Sequence, residues 1–294
     1  MTRYAILEAP SALGLFPAGV QDLPRALLDA GLADALGARH AGRIEPPAWR
    51  PERDPRTGLR NAAAIAGYAA ALADALGPPF EAGEVPLVLG GDCSILPGPL
   101  LALRRRGGRH GLLFLDGHAD SWPPRDEPRG EAASCDLLLA TGGGPDLLGM
   151  GALVRAEDVA LLGRRDVDGD EEGPVPPPPA GVLDLPLEAV RLRGAAEAAT
   201  EALRRLTRPG LDGLWVNLDA DVLDDAAVPA VDYRMPGGLP PAELEAMLRA
   251  AVATGAVRGL HVTILNPRLD AEGGAVRTLA SVLTGGLAPG AGGG

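Results

Sequence analysis

Short apolar runs alternate along this chain with longer stretches of helical spacing, and that alternation narrows the possible folds more than any other feature. Residues 4–7, 85–89, 111–115, 159–162, 214–218 and 260–265 read as strands. Runs such as 85–89 and 111–115 lack polar alternation, as expected of strands covered on both faces. Between them, residues 24–36, 60–76, 96–106, 135–141, 187–206, 240–254 and 275–283 carry helical patterns, with Gly77-Pro78 as a stop signal after the second. Buried strands joined by helices predict an α/β fold, a three-layer α/β/α arrangement around a mainly parallel sheet. We expect one domain over residues 1–294. The polar and then Pro-rich stretch 163–181 (ending in PVPPPP) reads as a loop of that domain, with a PxxP partner ligand as the alternative. The acidic run 166–172 reads as solvated loop and residues 288–294 as a disordered tail.

Composition removes several function classes. The net charge of −12 disfavours nucleic acid and anionic membrane surfaces as partners. Two cysteines, Cys93 and Cys135, are too few for a disulfide framework and suit a reducing compartment. The first residues, MTRYAILEAP, lack a signal-peptide run, and no stretch approaches the ~18 apolar residues needed to span a bilayer. The expectation is a cytoplasmic protein acting on a small molecule.

The polar motifs follow directly on the apolar runs, and in parallel sheets ligands gather at the carboxyl ends of strands. The strongest is LLFLDGHADSW, in which Asp116, His118 and Asp120 can point the same way if the segment stays extended. Carboxylates with one imidazole suit Mn²⁺, and also Fe²⁺, Co²⁺ or Zn²⁺. LWVNLDADVLDD ends its strand in Asp219 and Asp221, which repel each other unless a cation neutralises them; Asp224 and Asp225 beyond them read as a turn. In PLVLGGDCS, Gly90 and Gly91 allow a tight turn and Cys93 projects where a ligand could stand, or is a small buried hydrophobe. His40 and His110 read as surface residues, and His261 as a buried core histidine or a functional one.

Together these segments resemble the ureohydrolase superfamily of arginases and agmatinases, in order and spacing over about residues 4–286. GLFPAGVQDLPRALLDAGL (14–32), VPAVDYRMPGGL (228–239) and LHVTILNPRLD (260–270) extend the likeness. The resemblance implies an arginase-like fold, two divalent metal ions and a homo-oligomer, trimeric or hexameric. It implies that Asp116 and Asp219 bridge the ions. His118 and Asp221 complete one ion, Cys93 and Asp120 the other, and a shared hydroxide attacks a guanidino or amidine-like carbon. Asp120 would also shuttle a proton. Manganese is the expected metal, with Zn²⁺, Fe²⁺ or Co²⁺ open because of Cys93.

Three departures stand out. Cys93 replaces the histidine of the family's GGDHS motif, so it is either a softer ligand or a bystander. Ile264 stands where many ureohydrolases carry a glutamate that receives the guanidinium; Glu131 or Asp232 could serve instead, or the substrate is a modified arginine. The family's His-Gly loop has no counterpart in 129–136, where Glu131, Ser134 and Asp136 are the available polar groups. Glu131, Ser134, Asp232 and Asn266 are therefore the candidate substrate contacts. The principal expectation is a metal-dependent hydrolase of a linear C–N bond. The alternatives are a non-catalytic relative that binds a ligand or partner, and a single-metal amide deacetylase.

Overall fold

A computed structural model describes residues 2–167 and 174–288. The middle of the expected 163–181 loop, most of the acidic run and residues 289–294 lie outside them. The chain runs β1 (Tyr4–Ala9), α1 (Leu23–Asp29), α2 (Leu32–Leu36), β2 (Arg39–Arg43), α3 (Ala62–Ala75), α4 (Gly77–Glu81), β3 (Val85–Gly90), α5 (Pro97–Arg106) and β4 (His110–Leu115). It continues through α6 (Asp136–Ala140), β5 (Val159–Leu162), β6 (Leu183–Leu185), α7 (Leu187–Arg193), α8 (Ala195–Leu206), β7 (Gly213–Asp219), α9 (Pro241–Ala253), β8 (Val257–Thr263) and α10 (Gly274–Leu287).

The strands form one eight-stranded sheet, ordered β2-β1-β3-β8-β7-β4-β5-β6, with every pairing parallel. Its two faces bury separate apolar layers. Leu27, Val190, Leu206, Met247 and Leu279 of α1 and α7–α10 cover one. Ile65, Leu72, Leu101 and Leu137 of α3, α5 and α6 cover the other, together with Trp215 and Phe114 of the sheet. This is the expected three-layer α/β/α arrangement.

The chain leaves β3 and crosses to β4 three places away, and β8 and β7 later fill the two places between. The carboxyl ends of β3, β8, β7 and β4 thus converge where the strand order reverses, the usual place for a ligand in such sheets.

Several local expectations are corrected. The helices expected at 24–36 and 187–206 are each two helices, broken at Gly31 (φ 84°) and Gly194 (φ 88°), a left-handed turn that costs glycine little. Gly77-Pro78 ends α3 but also starts α4, because proline fits the first turn of a helix. Neither Gly90 nor Gly91 takes a positive φ. Gly91 is needed instead for close approach, since a Cβ there would lie 1.9 Å from the Ser11 carbonyl. β8 stops at Thr263 rather than at 265, because Ile264 turns to φ 73°.

Candidate metal centre

β3 delivers Cys93. After Gly91, Asp92 caps a short 3-10 turn, its Oδ1 accepting from the Ser94 amide at 2.8 Å and its Oδ2 from the Gly14 amide at 3.0 Å. That capping points the Cys93 thiol inward, where Sγ donates to Asp219 Oδ2 at 2.9 Å and lies 3.4 Å from Thr263 Oγ1. Burial, and after it Asp219, push the Cys93 thiol well above its ordinary pKa.

β4 delivers the next three groups. The 116–120 segment does not stay extended as expected. The His118 amide donates to Asp116 Oδ1 at 2.7 Å, bending the chain, and Asp120 adopts φ 44°. The bend still brings the side chains together. His118 Nδ1 lies 2.8 Å from Asp221 Oδ2. Asp116 Oδ2 is buried without a hydrogen-bond partner.

β7 delivers Asp219 and Asp221. Asp219 caps its own 3-10 turn, Oδ1 accepting from the Asp221 amide at 2.8 Å, and Asp221 Oδ1 accepts from the Gly117 amide at 2.9 Å. The β4 and β7 exits are therefore tied by a carboxylate of one and an amide of the other. A Cβ on Gly117 would sit 2.6 Å from Arg165 Nη1 and 2.7 Å from Asp221 Oδ1, so a side chain there would have to displace one of them.

Two sets of potential ligand atoms emerge, each within 4.8 Å of one another: Cys93 with Asp116 and Asp120, and Asp116 with His118 and Asp221. Asp116 belongs to both, and Asp219 joins through Cys93 and Asp221. Burial raises Asp116 and Asp120 well above the ordinary carboxylate value, and neighbouring carboxylates add to it. Asp219 is raised by burial and then by Asp221. Burial would also raise Asp221, but His118, Arg165 and the Gly117 amide outweigh it and hold it low. Burial would lower His118, yet Asp221 keeps it above its ordinary value. A thiol, an imidazole and four carboxylates in a water-poor crevice, one with an orphaned oxygen, have the donor chemistry that a pair of dications would satisfy.

The sequence reading missed the supports. After β5, Arg164 pairs with Asp166 at 2.9 Å and with Asp184 at 2.7 Å. Asp166 Oδ2 accepts from the Ala119 amide at 2.8 Å. Arg165 donates to the carbonyls of Asp221 at 2.8 Å and Met235 at 3.1 Å. The signal was available, since Arg-Arg-Asp also follows an apolar strand.

The expected substrate contacts are held by partners of their own, outside the ligand cluster. Glu131 is buried, accepting from the Tyr233 hydroxyl at 2.8 Å; burial raises its pKa. Asp232 accepts from Asn266 Nδ2 at 3.0 Å, and Asn266 Oδ1 caps the turn at Arg268. Ser134 is half-buried, and its carbonyl accepts from the Trp122 amide at 3.1 Å. His40 is bound to Glu8 on the sheet edge at 2.8 Å, and half-buried His110 begins β4. His261 is fully buried, its Nδ1 accepting from Trp215 Nε1 at 2.7 Å.

No helix among the described residues is long and apolar enough to cross a membrane. Comparison with known proteins agrees with the geometry. The arginase of Staphylococcus aureus is 28% identical over 276 residues, covering 91% of each chain. That of Bacillus caldovelox is 29% identical over 298 residues, covering 98% of each. The solved structure of the Bacillus caldovelox arginase superposes with a TM-score of 0.87 at 25% identity, covering 98% of this chain and 99% of that one. The arginase family model matches residues 4–287, and the chain therefore belongs to the arginase family.

Proposed function

We propose that this chain hydrolyses a linear C–N bond of a guanidino or amidine-type small molecule at two divalent cations that share Asp116. The observation that carries the reading is the meeting of two ligand groups at that one carboxylate. His118 and Asp221 would hold one cation, Cys93 and Asp120 the other, with Asp219 between them. When bound, such cations make water acidic enough to act as a nucleophile near neutral pH and stabilise the developing negative charge.

The protein's own groups do the rest. Asp120, 9% exposed, is the one of the four carboxylates nearest the surface and would accept and return the proton of the attacking water. Ile264 offers no charge to a guanidinium. Burying that cation unpaired would be costly, so either Glu131 or Asp232 takes the glutamate's place or the substrate is a modified guanidine, with Ser134 and Asn266 as further contacts. Manganese is the proposed metal, and Cys93 shifts preference towards Zn²⁺, Fe²⁺ or Co²⁺. A cytoplasmic homo-oligomer, trimer or hexamer, completes the proposal.

Metal analysis after anaerobic purification should give two equivalents per chain, and a panel of guanidino compounds should include one that releases urea or ammonia. A metal-free chain that resists reloading would sink the proposal; one equivalent with amide hydrolysis would replace it by the deacetylase reading.

A further inference from the structure

Two buried carboxylates flank the proposed ligands, and they differ in one respect. Asp92 is fully buried, and both of its oxygens accept amide hydrogens. Asp136, the first residue of α6, is 1% exposed, and neither of its oxygens has a hydrogen-bond partner. The first is a structural cap. The second is a charge-bearing group placed in the interior at a cost of roughly several kcal/mol unless something compensates it.

Asp136 is held against the β4 exit by backbone bonds on either side of it. The Trp122 amide donates to the Ser134 carbonyl at 3.1 Å, and the Leu138 amide donates to the Asp120 carbonyl at 3.2 Å. Residue 136 therefore faces residue 120. Among the neighbouring charges, Asp136 does most to raise Asp120, and after Asp219 it does most to raise Cys93. An unpartnered carboxylate thus lies beside the half of the centre that contains a thiol and carboxylates but no imidazole.

We propose that Asp136 is a further carboxylate ligand to the cation on the Cys93 side. This rests on the two-cation reading and extends it. A cation there would compensate a buried group whose only stabilising neighbours are the Asp120 carboxyl and the Leu137 amide. It also gives that ion a harder, oxygen-rich set of Cys93, Asp116, Asp120 and Asp136, which offsets the softness of the thiolate and keeps Mn²⁺ or Co²⁺ competitive with Zn²⁺.

The test compares the wild-type chain with Asp136→Asn, which removes the charge and keeps the shape. Co²⁺ is titrated into each metal-free protein under anaerobic conditions and followed by absorption. Wild type should bind two equivalents, and the Cys93-side ion should show a thiolate charge-transfer band. Asp136→Asn should bind the Cys93-side ion about 10–100-fold more weakly, and its d–d bands at saturation should change intensity because the coordination number has changed. The melting temperature of metal-free Asp136→Asn should equal or exceed that of metal-free wild type, which separates loss of a ligand from loss of fold. Equal affinities, or identical saturated spectra, would overturn the assignment while leaving the two-cation reading intact. A wild-type chain that binds no cation would overturn both.

Discussion

At the scale of single residues, the proposed function is tested most directly at Cys93 and Ile264. Cys93 is packed so that its sulfur touches Asp219 Oδ2 and Thr263 Oγ1, contacts that suit a ligand or a protonated thiol alike. If it is a ligand, Cys93→His should move metal preference towards Mn²⁺ by roughly tenfold relative to Zn²⁺, equivalent to about 1.4 kcal/mol, as measured by competition between the two ions. Unchanged stoichiometry and preference would make Cys93 a spectator. Ile264 is unusual in a second way: it is β-branched, yet sits at φ 73° with its amide donating to the Gly91 carbonyl at 2.7 Å. Such a conformation costs about 1–3 kcal/mol and is maintained where a turn must aim a side chain. Ile264 itself is buried, 6% exposed, among apolar neighbours at the end of β8. Ile264→Glu should raise kcat/KM for an unmodified guanidinium such as arginine by at least about tenfold, because the buried cation gains a partner. A panel in which no plain guanidinium improves would place substrate reading elsewhere.

At the scale of elements, the centre is a set of strand exits that brace one another. Gly117 of the β4 exit is clasped by Asp221 of the β7 exit and by Arg165 of the β5 exit. Gly117→Ala should drive these apart, destabilising the protein by about 1–3 kcal/mol and weakening both cations. Denaturant unfolding together with a metal titration would show it, and a normal titration would mean that the exits hold their ligands independently. This architecture also explains what could be read in advance. That the six expected residues would meet was legible because each follows an apolar run in local sequence, and a parallel sheet brings the strand ends together. Arg164, Arg165 and Asp166 follow the same rule but have no metal-binding residue pattern to draw attention to them. β2 (RHAGR) was invisible because it is an edge strand whose side chains are mostly in contact with solvent, and β6 because its three residues are too few for a period. The breaks at Gly31 and Gly194 were hidden by apolar spacing that continues across them. That Tyr233 would bind Glu131 depended on contacts 102 residues apart, which no local pattern carries.

At the scale of the molecule, the fold concentrates its electrostatic burden in one crevice, and acid should reveal it. Burial holds Asp116, Asp120, Asp136 and Asp219 above the ordinary carboxylate value, and Asp92 at about 6. Each binds its proton more tightly in the folded chain than in the unfolded one. Each therefore adds stability as pH falls through its folded value towards the ordinary 3.8. His261 acts in the opposite sense. Burial takes it from 6.5 to about 3, so the unfolded chain protonates first and stability is lost as pH drops across that window. Asp221 is held low and loses its contribution only below the ordinary carboxylate range. Between pH 7 and 5 the carboxylates outnumber the two histidines that burial lowers, His261 and His110, so the metal-free chain should melt higher at pH 5 than at pH 7, by about 2–4 °C for each kcal/mol gained. With cations bound the balance reverses. The carboxylates must then stay ionised and protons compete with the metal, so the loaded chain should melt lower at pH 5 than at pH 7. Thermal melts of chelated and reloaded protein across this range should therefore converge as pH falls. Parallel curves would show that the carboxylates of the crevice do not hold the metal.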